Sequence, residues 1–289
     1  MKKQITAILY GGLGNQMFQY AAARALSLKH CIPLYLDIEW FDRKQPSIAV
    51  RPYQLKIFPN ITAPVKSYRF SLWHRIIKYI DKHIPFSHTI CEPHFSYWSG
   101  FTEITPPAKL DGYWQSEQYF MNFQNEIRED FTFPELPKKA LEISKHISSV
   151  RDAVSVHIRR GDYISNPQAQ IFHGNLDQDY YNKALHIIKE KFGETTIFIF
   201  SDDPQWVRKK FDCCGHSAVI VELNIPSAPH HDMHLMSLCR HHIIANSSFS
   251  WWGAWLGKKE GMTLAPRKWF AQKDFNDYKD IYCKKWVTL

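Results

Sequence analysis

Four short runs of the chain carry charged, hydroxyl or amide side chains at a predicted strand end or helix start. In one of them, Arg159 and Arg160 directly follow an apolar strand and precede Gly161. Two guanidinium groups at a strand end form a fork for phosphate oxygens, because each binds an oxyanion bidentately and keeps its charge at physiological pH. The run predicts a phosphate site, and an ion pair between Arg160 and Asp162 is the structural alternative.

A second run, Ser201, Asp202 and Asp203, also ends an apolar strand. An acidic residue in this place can accept hydrogen bonds from ribose hydroxyls or from the N–H edge of guanine. Serine and aspartate are equally favoured as helix N-caps, and taken alone the run favours the cap. One aspartate can cap the following helix while the other binds a ligand.

A third run has Ser247, Ser248 and Phe249 at the start of a predicted helix. Backbone N–H groups and hydroxyls at a helix start bind anions, and the helix macrodipole strengthens that attraction. A simple N-cap is an equally good interpretation of the two serines. The tryptophans of the same helix are interpreted as packing residues rather than as a stacking platform: Trp251, Trp252 and Trp255.

The fourth run is the glycine-rich loop that leads into Asn15 near the start of the chain. Gly12 and Gly14 resemble the dinucleotide fingerprint G-x-G-x-x-G, and Asp37 follows at a strand end where a ribose-binding acid would stand. The match is imperfect, because Met17 occupies the position where a small residue permits close contact between helix and strand. An NAD-dependent oxidoreductase is therefore kept as one alternative, and a non-enzymatic glycan-binding protein that uses its many aromatic residues as another.

The elements that position these runs alternate between strands and helices. Strand 5–10, helix 15–29 and strand 32–37 open one α/β series, and a second series begins at Ala153. Its further predicted strands are 196–200, 218–222 and 242–245, and its helices are 179–192, 205–211, 232–240 and 249–256. The boundary between the two predicted domains, 1–150 and 151–289, falls near residue 150. Between 41 and 110 only one amphipathic helix, 72–83, is predicted.

The charge balance limits the classes of partner. The 289 residues carry a formal net charge of +8, which suits nucleic acid, an anionic membrane surface or a nucleotide diphosphate. The chain has neither five consecutive basic residues nor a known nucleic-acid-binding motif, so nucleic acid is disfavoured. The excess charge favours peripheral contact with the inner face of a membrane, where lipid-linked acceptors would lie.

Cysteine usage and hydropathy indicate a cytoplasmic location. The six cysteines form no C-x-x-C pair, which argues against a thiolate zinc site and favours reduced thiols. Asn15, Gln16 and Gln19 interrupt the first apolar segment, so a signal peptide is not predicted. No stretch of 18 apolar residues is present, so a membrane span is not predicted either.

Taken together and in this order, the glycine loop, the run from His157 to Tyr163, the Ser-Asp-Asp run and the run from Asn246 to Trp255 resemble the α-1,2-fucosyltransferase family of bacterial type. The resemblance spans nearly the whole chain and lacks a motif only at about 41–110. It implies a GT-B-like α/β fold of two Rossmann-like domains facing across a cleft. The N-terminal domain would hold the acceptor and the C-terminal domain GDP-fucose.

The resemblance also implies an activity. An inverting enzyme would transfer L-fucose from GDP-β-L-fucose to the 2-hydroxyl of a galactose residue, with no required metal or other cofactor. The acceptor would be a galactose-terminated glycan for O-antigen or a related surface structure. Arg159 would hold the donor diphosphate, and Arg160 would support the charge.

The remaining roles follow in the same way. His157 would shape the nucleotide site, and Asp202 would bind guanine or ribose. Ser247, Ser248 and the backbone of Phe249 would hold the β-phosphate, while Asn15 would approach the donor from the first domain. The acceptor hydroxyl needs a general base, and Asp162 is the nearest candidate by sequence.

Overall fold

Short parallel strands form both sheets of the protein. The computed structural model describes residues 3–42, 52–66, 88–160, 174, 176–223, 228–271 and 277–289. The chain divides into two compact units, of which the first is Met1–Pro134 with Lys279–Ile281 and the second is Glu135–Tyr278 with Tyr282–Leu289. The predicted helix 72–83 lies outside the described residues.

The first unit contains a five-stranded sheet of order β3-β2-β1-β5-β4, in which each neighbouring pair is parallel. The strands are β1 Ile5–Ile8, β2 Leu34–Asp37, β3 Val65–Lys66, β4 His88–Cys91 and β5 Ala108–Asp111. The helices are α1 Leu13–His30, α2 Glu39–Asp42 and α3 Gln124–Asp130, with 3₁₀ turns at Leu55–Ile57, Ser99–Glu103, Glu117–Tyr119, Met121–Phe123 and Lys279–Ile281. Because the strands are parallel, the loops that follow them emerge at one edge of the sheet.

The second unit contains a six-stranded parallel sheet of order β11-β10-β9-β6-β7-β8. Its strands are β6 Val154–Ile158, β7 Thr196–Ser201, β8 Ser217–Ile220, β9 His241–Ile243, β10 Thr263–Ala265 and β11 Val287–Thr288. Its helices are α4 Lys138–Ser149, α5 Gln178–Phe192, α6 Pro204–Lys210, α7 Pro229–Leu238 and α8 Ser248–Trp255. Since β6 lies between β9 and β7, the chain segments that follow these three strands are neighbours.

Helices cover both faces of the second sheet. On one face, Val156 packs in a buried cluster with Leu185 of α5. On the other face, Phe198 and Phe200 of β7 pack with Ala140 of α4 and with residues of α7. A parallel sheet covered on both faces reads in sequence as continuous apolar runs, which is why strands β6 and β7 were predictable.

The boundary between the units differs from the predicted one. It lies between Pro134 and Glu135, before α4 rather than after it. Ala140 and Ile147 of this helix are fully buried against Phe198 and Phe200, so α4 belongs to the second unit. The prediction placed the boundary at the first strand of the new series and so assigned the helix in front of it to the wrong side.

The glycine loop between β1 and α1 is held by buried amides. Gly11 has a φ of +75°, and a Cβ there would lie 2.8 Å from Nδ2 of Asn15, so the position requires glycine. The Gln16 side chain donates to the Gly11 carbonyl oxygen at 2.9 Å and accepts from the Gln54 amide at 2.9 Å. Gln19 accepts from the Tyr10 amide at 3.0 Å. These glutamines, which interrupt the apolar segment, therefore fix the shape of the loop.

Candidate functional site

Arg159 and Ser247, two predicted phosphate-binding residues, lie side by side at the carboxyl edge of the second sheet. Strands β6 and β9 pair with Val156 opposite Ile243, so the residues that follow each strand are brought together. Nη1 of Arg159 lies 3.5 Å from Oγ of Ser247. Because a guanidinium and a hydroxyl both donate hydrogen bonds to oxyanions, the pair can bind one phosphate group jointly.

The start of helix α8 adds to this positive edge. Ser247 is the N-cap of the helix, and its Oγ accepts from the Phe249 amide at 3.3 Å. Ser248 is the first residue of the helix. The macrodipole places partial positive charge at this end, beside the Arg159 guanidinium. The cap interpretation is therefore confirmed, and it is compatible with anion binding at the same position.

The tryptophans of α8 face the core. Trp251 and Trp252 are fully buried, and Trp255 is nearly so. Trp251 and Trp252 pack edge to face, with ring centroids 4.9 Å apart. The prediction that these residues pack rather than form a ligand platform is confirmed.

His157 lies in β6, two residues before Arg159, and is almost fully buried. Burial, together with the positive charge of Arg159, lowers the pKa of its ring to about 3, so the ring is neutral at physiological pH. Its Nδ1 has no hydrogen-bond partner within the described part of the chain. The ring centroid lies 5.7 Å from that of Phe249. A buried polar atom without a partner beside the start of α8 is one that a bound ligand could satisfy.

Arg160 differs from its neighbour Arg159, because it is held by the chain that follows β7. Its backbone amide donates to Oδ1 of Asp202 at 2.8 Å, and its guanidinium lies 3.9 Å from the ring centroid of Trp206. Nε of Arg160 is 3.8 Å from Oδ2 of Asp203. These contacts fit the predicted supporting role better than direct contact with a ligand. Sequence reasoning missed Trp206, which carries no signal other than its position in α6.

The two aspartates that follow β7 have different hydrogen-bond partners. Asp203 caps helix α6, where its side chain accepts from the Trp206 amide at 3.0 Å. Asp202 instead uses one carboxylate oxygen to fix the backbone after β6. Capping by one aspartate is thus confirmed, and ligand binding by Asp202 stays a prediction.

Asn15, the predicted donor-binding residue of the first unit, lies in the first turn of α1. Its Oδ1 accepts from Nε2 of Gln115 at 2.9 Å. Gln115 follows β5 and is buried, so this bond joins the first turn of α1 to the loop after β5. Sequence reasoning missed Gln115, because nothing local marks a residue whose partner is so distant along the chain.

The structure disfavours the dinucleotide-binding interpretation, because Asp37, its predicted ribose-binding acid, has other partners. Asp37 is buried, and its Oδ2 lies 2.6 Å from Nζ of Lys109. Its Oδ1 accepts from the Glu39 amide at 3.0 Å. Both oxygens therefore have structural partners, which disfavours a role in binding the ribose of NAD.

Three further observations concern the general base, a metal site and a membrane-spanning helix. Asp162 lies outside them, so its predicted roles as general base or as a partner of Arg160 stay predictions. Among the described residues no group of three or more His, Cys, Asp or Glu side chains is arranged to hold a metal ion. Within the same ranges, no helix has the length and apolar character that crossing a bilayer requires.

The fold and the comparisons with known proteins define a glycosyltransferase. The chain belongs to glycosyl transferase family 11, whose model matches residues 1–289. The chain is 36% identical over 290 residues to an alpha-1,2-colitosyltransferase of Escherichia coli, covering 99% of this chain and 98% of that protein. It is 32% identical over 317 residues to the O-antigen biosynthesis glycosyltransferase WbnK of Escherichia coli, covering 97% and 99%.

A more distant relative carries the activity that the sequence motifs suggest. Galactoside alpha-(1,2)-fucosyltransferase 2 of Oryctolagus cuniculus is 24% identical over 264 residues, which cover 88% of this chain and 67% of that protein. Membership in glycosyl transferase family 11 confirms the predicted family resemblance, while the specific fucosyltransferase activity stays a prediction. It also favours a glycosyltransferase over the NAD-dependent oxidoreductase and over the non-enzymatic glycan-binding protein.

Solved structures share the fold at low sequence identity. FUT1 of Arabidopsis thaliana, a mutant in complex with GDP, has a TM-score of 0.52 at 11% identity and covers 95% of this chain and 73% of that one. NodZ alpha-1,6-fucosyltransferase, soaked with GDP-fucose, has a TM-score of 0.50 at 14% identity and covers 89% and 93%. The predicted GT-B-like α/β fold class is therefore confirmed.

The neutral state of His157 leads to a prediction about pH. The pKa of this ring is lowered from 6.5 to about 3 on folding, so the stability it contributes is present above pH 6.5 and is lost as pH falls towards 3. We expect the free energy of unfolding of the wild type to fall, relative to His157→Gln, by about 1.4 kcal/mol per pH unit below 6.5. Urea denaturation at pH 7, 6 and 5 measures this difference.

The exposed His186, replaced by Gln in the same way, is the matched control and should follow the wild type at each pH. Parallel stability profiles for the wild type and His157→Gln would show that His157 titrates normally and is not the neutral group described above.

Proposed function

We propose that the protein is an inverting galactoside α-1,2-fucosyltransferase, which transfers L-fucose from GDP-β-L-fucose to the 2-hydroxyl of a galactose residue. The galactose would terminate an oligosaccharide or lipid-linked glycan. Membership in glycosyl transferase family 11 and the rabbit fucosyltransferase relative support the type of transfer. The O-antigen glycosyltransferase among the relatives supports a surface glycan as the acceptor.

One observation carries the donor part of this proposal. The Arg159 guanidinium, the Ser247 hydroxyl and the positive end of α8 converge at the carboxyl edge of the second sheet. Beside them, Nδ1 of the buried His157 has no partner among the described residues. A diphosphate supplies the oxyanions that such a group of donors binds, and open α/β sheets bind nucleotides at this edge.

The same groups suit the chemistry of transfer. When the bond between the anomeric carbon of fucose and the β-phosphate oxygen breaks, negative charge grows on the leaving GDP. Arg159 and the start of α8 would stabilise that charge, because they are fixed before the reaction and need no reorganisation. The acceptor oxygen attacks from the opposite face, which inverts the β-linked donor to an α-linked product. No metal is needed for this step as proposed.

The donor sugar is the finer point of the proposal. Fucose and colitose are close analogues, since colitose lacks only the 3-hydroxyl of fucose, and one relative is a colitosyltransferase. A site that hydrogen-bonds a hydroxyl rejects the analogue without it far more strongly than an apolar site rejects an added hydroxyl. We propose fucose because the motifs of this chain resemble the fucosyltransferase pattern. Peripheral membrane contact and a cytoplasmic location stay predictions from the sequence.

Ligand-induced stabilisation tests the nucleotide. We expect GDP, GDP-fucose and GDP-colitose to raise the melting temperature and UDP and NAD to leave it unchanged, because a ligand of the folded state stabilises it by mass action, by about 2.7 kcal/mol at a hundredfold excess over Kd. Differential scanning fluorimetry with and without EDTA measures these shifts. Stabilisation by NAD and not by GDP would contradict the proposal, and loss of the GDP shift in EDTA would contradict metal independence.

The role of Arg159 predicts the effect of a conservative change. Arg159→Lys keeps the positive charge and loses the planar fork, so we expect turnover to fall by roughly 10²-fold or more, near 3 kcal/mol of transition-state stabilisation. Steady-state release of GDP with GDP-fucose and lactose measures it. Arg151→Lys is the matched control, because the Arg151 side chain is 88% exposed, and it should act like the wild type. Near-normal turnover of Arg159→Lys would remove Arg159 from the diphosphate site.

Asp162 is proposed as the general base that takes the proton of the acceptor hydroxyl. Asp162→Asn should lower turnover by roughly 10²-fold or more and should abolish the acidic limb of the pH–rate profile, because an amide cannot accept the proton. Turnover measured from pH 5 to pH 9 tests both effects. An unchanged rate and profile would show that another group, or water, accepts the proton.

A further inference from the structure

A group of aromatic and polar side chains lies at the carboxyl edge of the first sheet, where the chain leaves β5. Asp111 ends β5, and Tyr113, Trp114 and Gln115 follow it. Loops at this edge of a parallel sheet are the usual location of ligands. None of these residues belongs to the cationic group around Arg159, which lies in the second unit.

The segment after β5 is fixed by the half-buried side chain of Glu92. Its two carboxylate oxygens accept from the amides of Tyr113, at 2.7 Å, and of Trp114, at 2.9 Å. Gly112 permits this approach, because a Cβ at that position would lie 2.4 Å from the Cβ of Glu92. The loop is therefore held by a dedicated carboxylate rather than by regular secondary structure.

The backbone of this loop is strained at Trp114. Trp114 has a φ of +55°, in the left-handed region that bulky residues avoid, although its side chain is fully buried. Its indole Nε1 has no hydrogen-bond partner within the described ranges. Strained backbone persists only where the surroundings impose it, and such places cluster at binding and active sites.

In this turn the Tyr113 side chain faces the surface, whereas the Gln115 side chain is buried. The Tyr113 side chain is 40% exposed, and its ring lies 5.1 Å, edge to face, from the ring of Tyr10. Gln115 turns inward and donates to Asn15. The loop therefore leaves part of the Tyr113 ring at the surface, while Gln115 braces the first turn of α1.

The polar groups next to Tyr113 favour a neutral, hydroxyl-rich ligand. Burial raises the pKa of the Tyr10 phenol well above its ordinary value, and the negative charge of the nearby Asp111 carboxylate adds to the shift, so the phenol stays protonated. The Asp111 carboxylate repels phosphate and accepts hydrogen bonds from hydroxyl groups. Both oxygens of Glu92 are already occupied by backbone amides, and burial raises the pKa of this side chain to about 7. An exposed aromatic face with a few polar acceptors is the surface on which the apolar face of a sugar ring packs.

We propose that this surface, formed by Tyr10, Asp111 and Tyr113, binds a pyranose of the saccharide acceptor. The sugar ring packs on Tyr113, a hydroxyl donates to Asp111, and Glu92 acts as a positioning residue that fixes the loop. This inference rests on the proposed function for the class of ligand, a galactose-containing saccharide. It assigns acceptor contacts to residues that carry no sequence motif.

Saturation-transfer NMR with lactose as the probe measures binding to this surface and does not depend on enzymatic sugar transfer. Lactose is titrated into the wild-type protein, with and without GDP, and into Tyr113→Ala, Tyr113→Phe and Met121→Ala. We expect Tyr113→Ala to weaken lactose binding about tenfold, because the aromatic face is lost, and Tyr113→Phe to bind within about twofold of the wild type. Met121 is 52% exposed in the same unit and is the matched control, so Met121→Ala should bind normally.

Two results would overturn the inference: no lactose binding by the wild type in either condition, or undiminished binding by Tyr113→Ala. The melting-temperature shift with GDP, recorded on the same samples, reports the proposed donor site separately. A normal GDP shift in Tyr113→Ala with weakened lactose binding supports the surface and shows that the variant is folded. An absent GDP shift in the wild type contradicts the donor proposal and leaves the lactose result to decide this one.

Discussion

The parallel pairing of β6 with β9 is the constraint on which the candidate donor site depends. These strands are far apart in sequence, yet their register brings the residues after them to one edge, so that Arg159 meets Ser247. The pairing of β6 with β7 does the same for Arg160 and Asp202. The site is made of three chain segments, so it is only as stable as the central sheet, whose two faces are covered by helices.

Arg159 and Arg160 are adjacent in sequence, but the fold gives them different surroundings. Arg160 lies against Trp206, with one acidic neighbour fixing its backbone and another near its guanidinium. Arg159 faces a hydroxyl at the positive end of a helix, where an anion is the natural partner. The two residues differ because Arg159 lies beside the segment that follows β9 and Arg160 beside the segment that follows β7, a placement that the local sequence does not show.

The sequence predicted most of the second unit because its strands are buried apolar runs and its helices have clear periodicity. Helix α5 and strand β7 were placed to within a residue or two. It predicted the first unit less well between 41 and 110, since strands such as β4, His88–Cys91, are short and mixed in composition. The contacts it missed, those of Gln115 and Trp206, depend on partners that only the folded chain brings near.

The short segment Lys279–Ile281 belongs to the first unit, although the residues on either side of it belong to the second. Asp280 in this segment accepts hydrogen bonds from the Tyr97 amide and the Gln118 side chain. Neither unit is therefore one contiguous stretch of chain. Chimeras that exchange units between related enzymes need three crossover points rather than one, and a fragment cut after Pro134 would leave the first unit without these anchors.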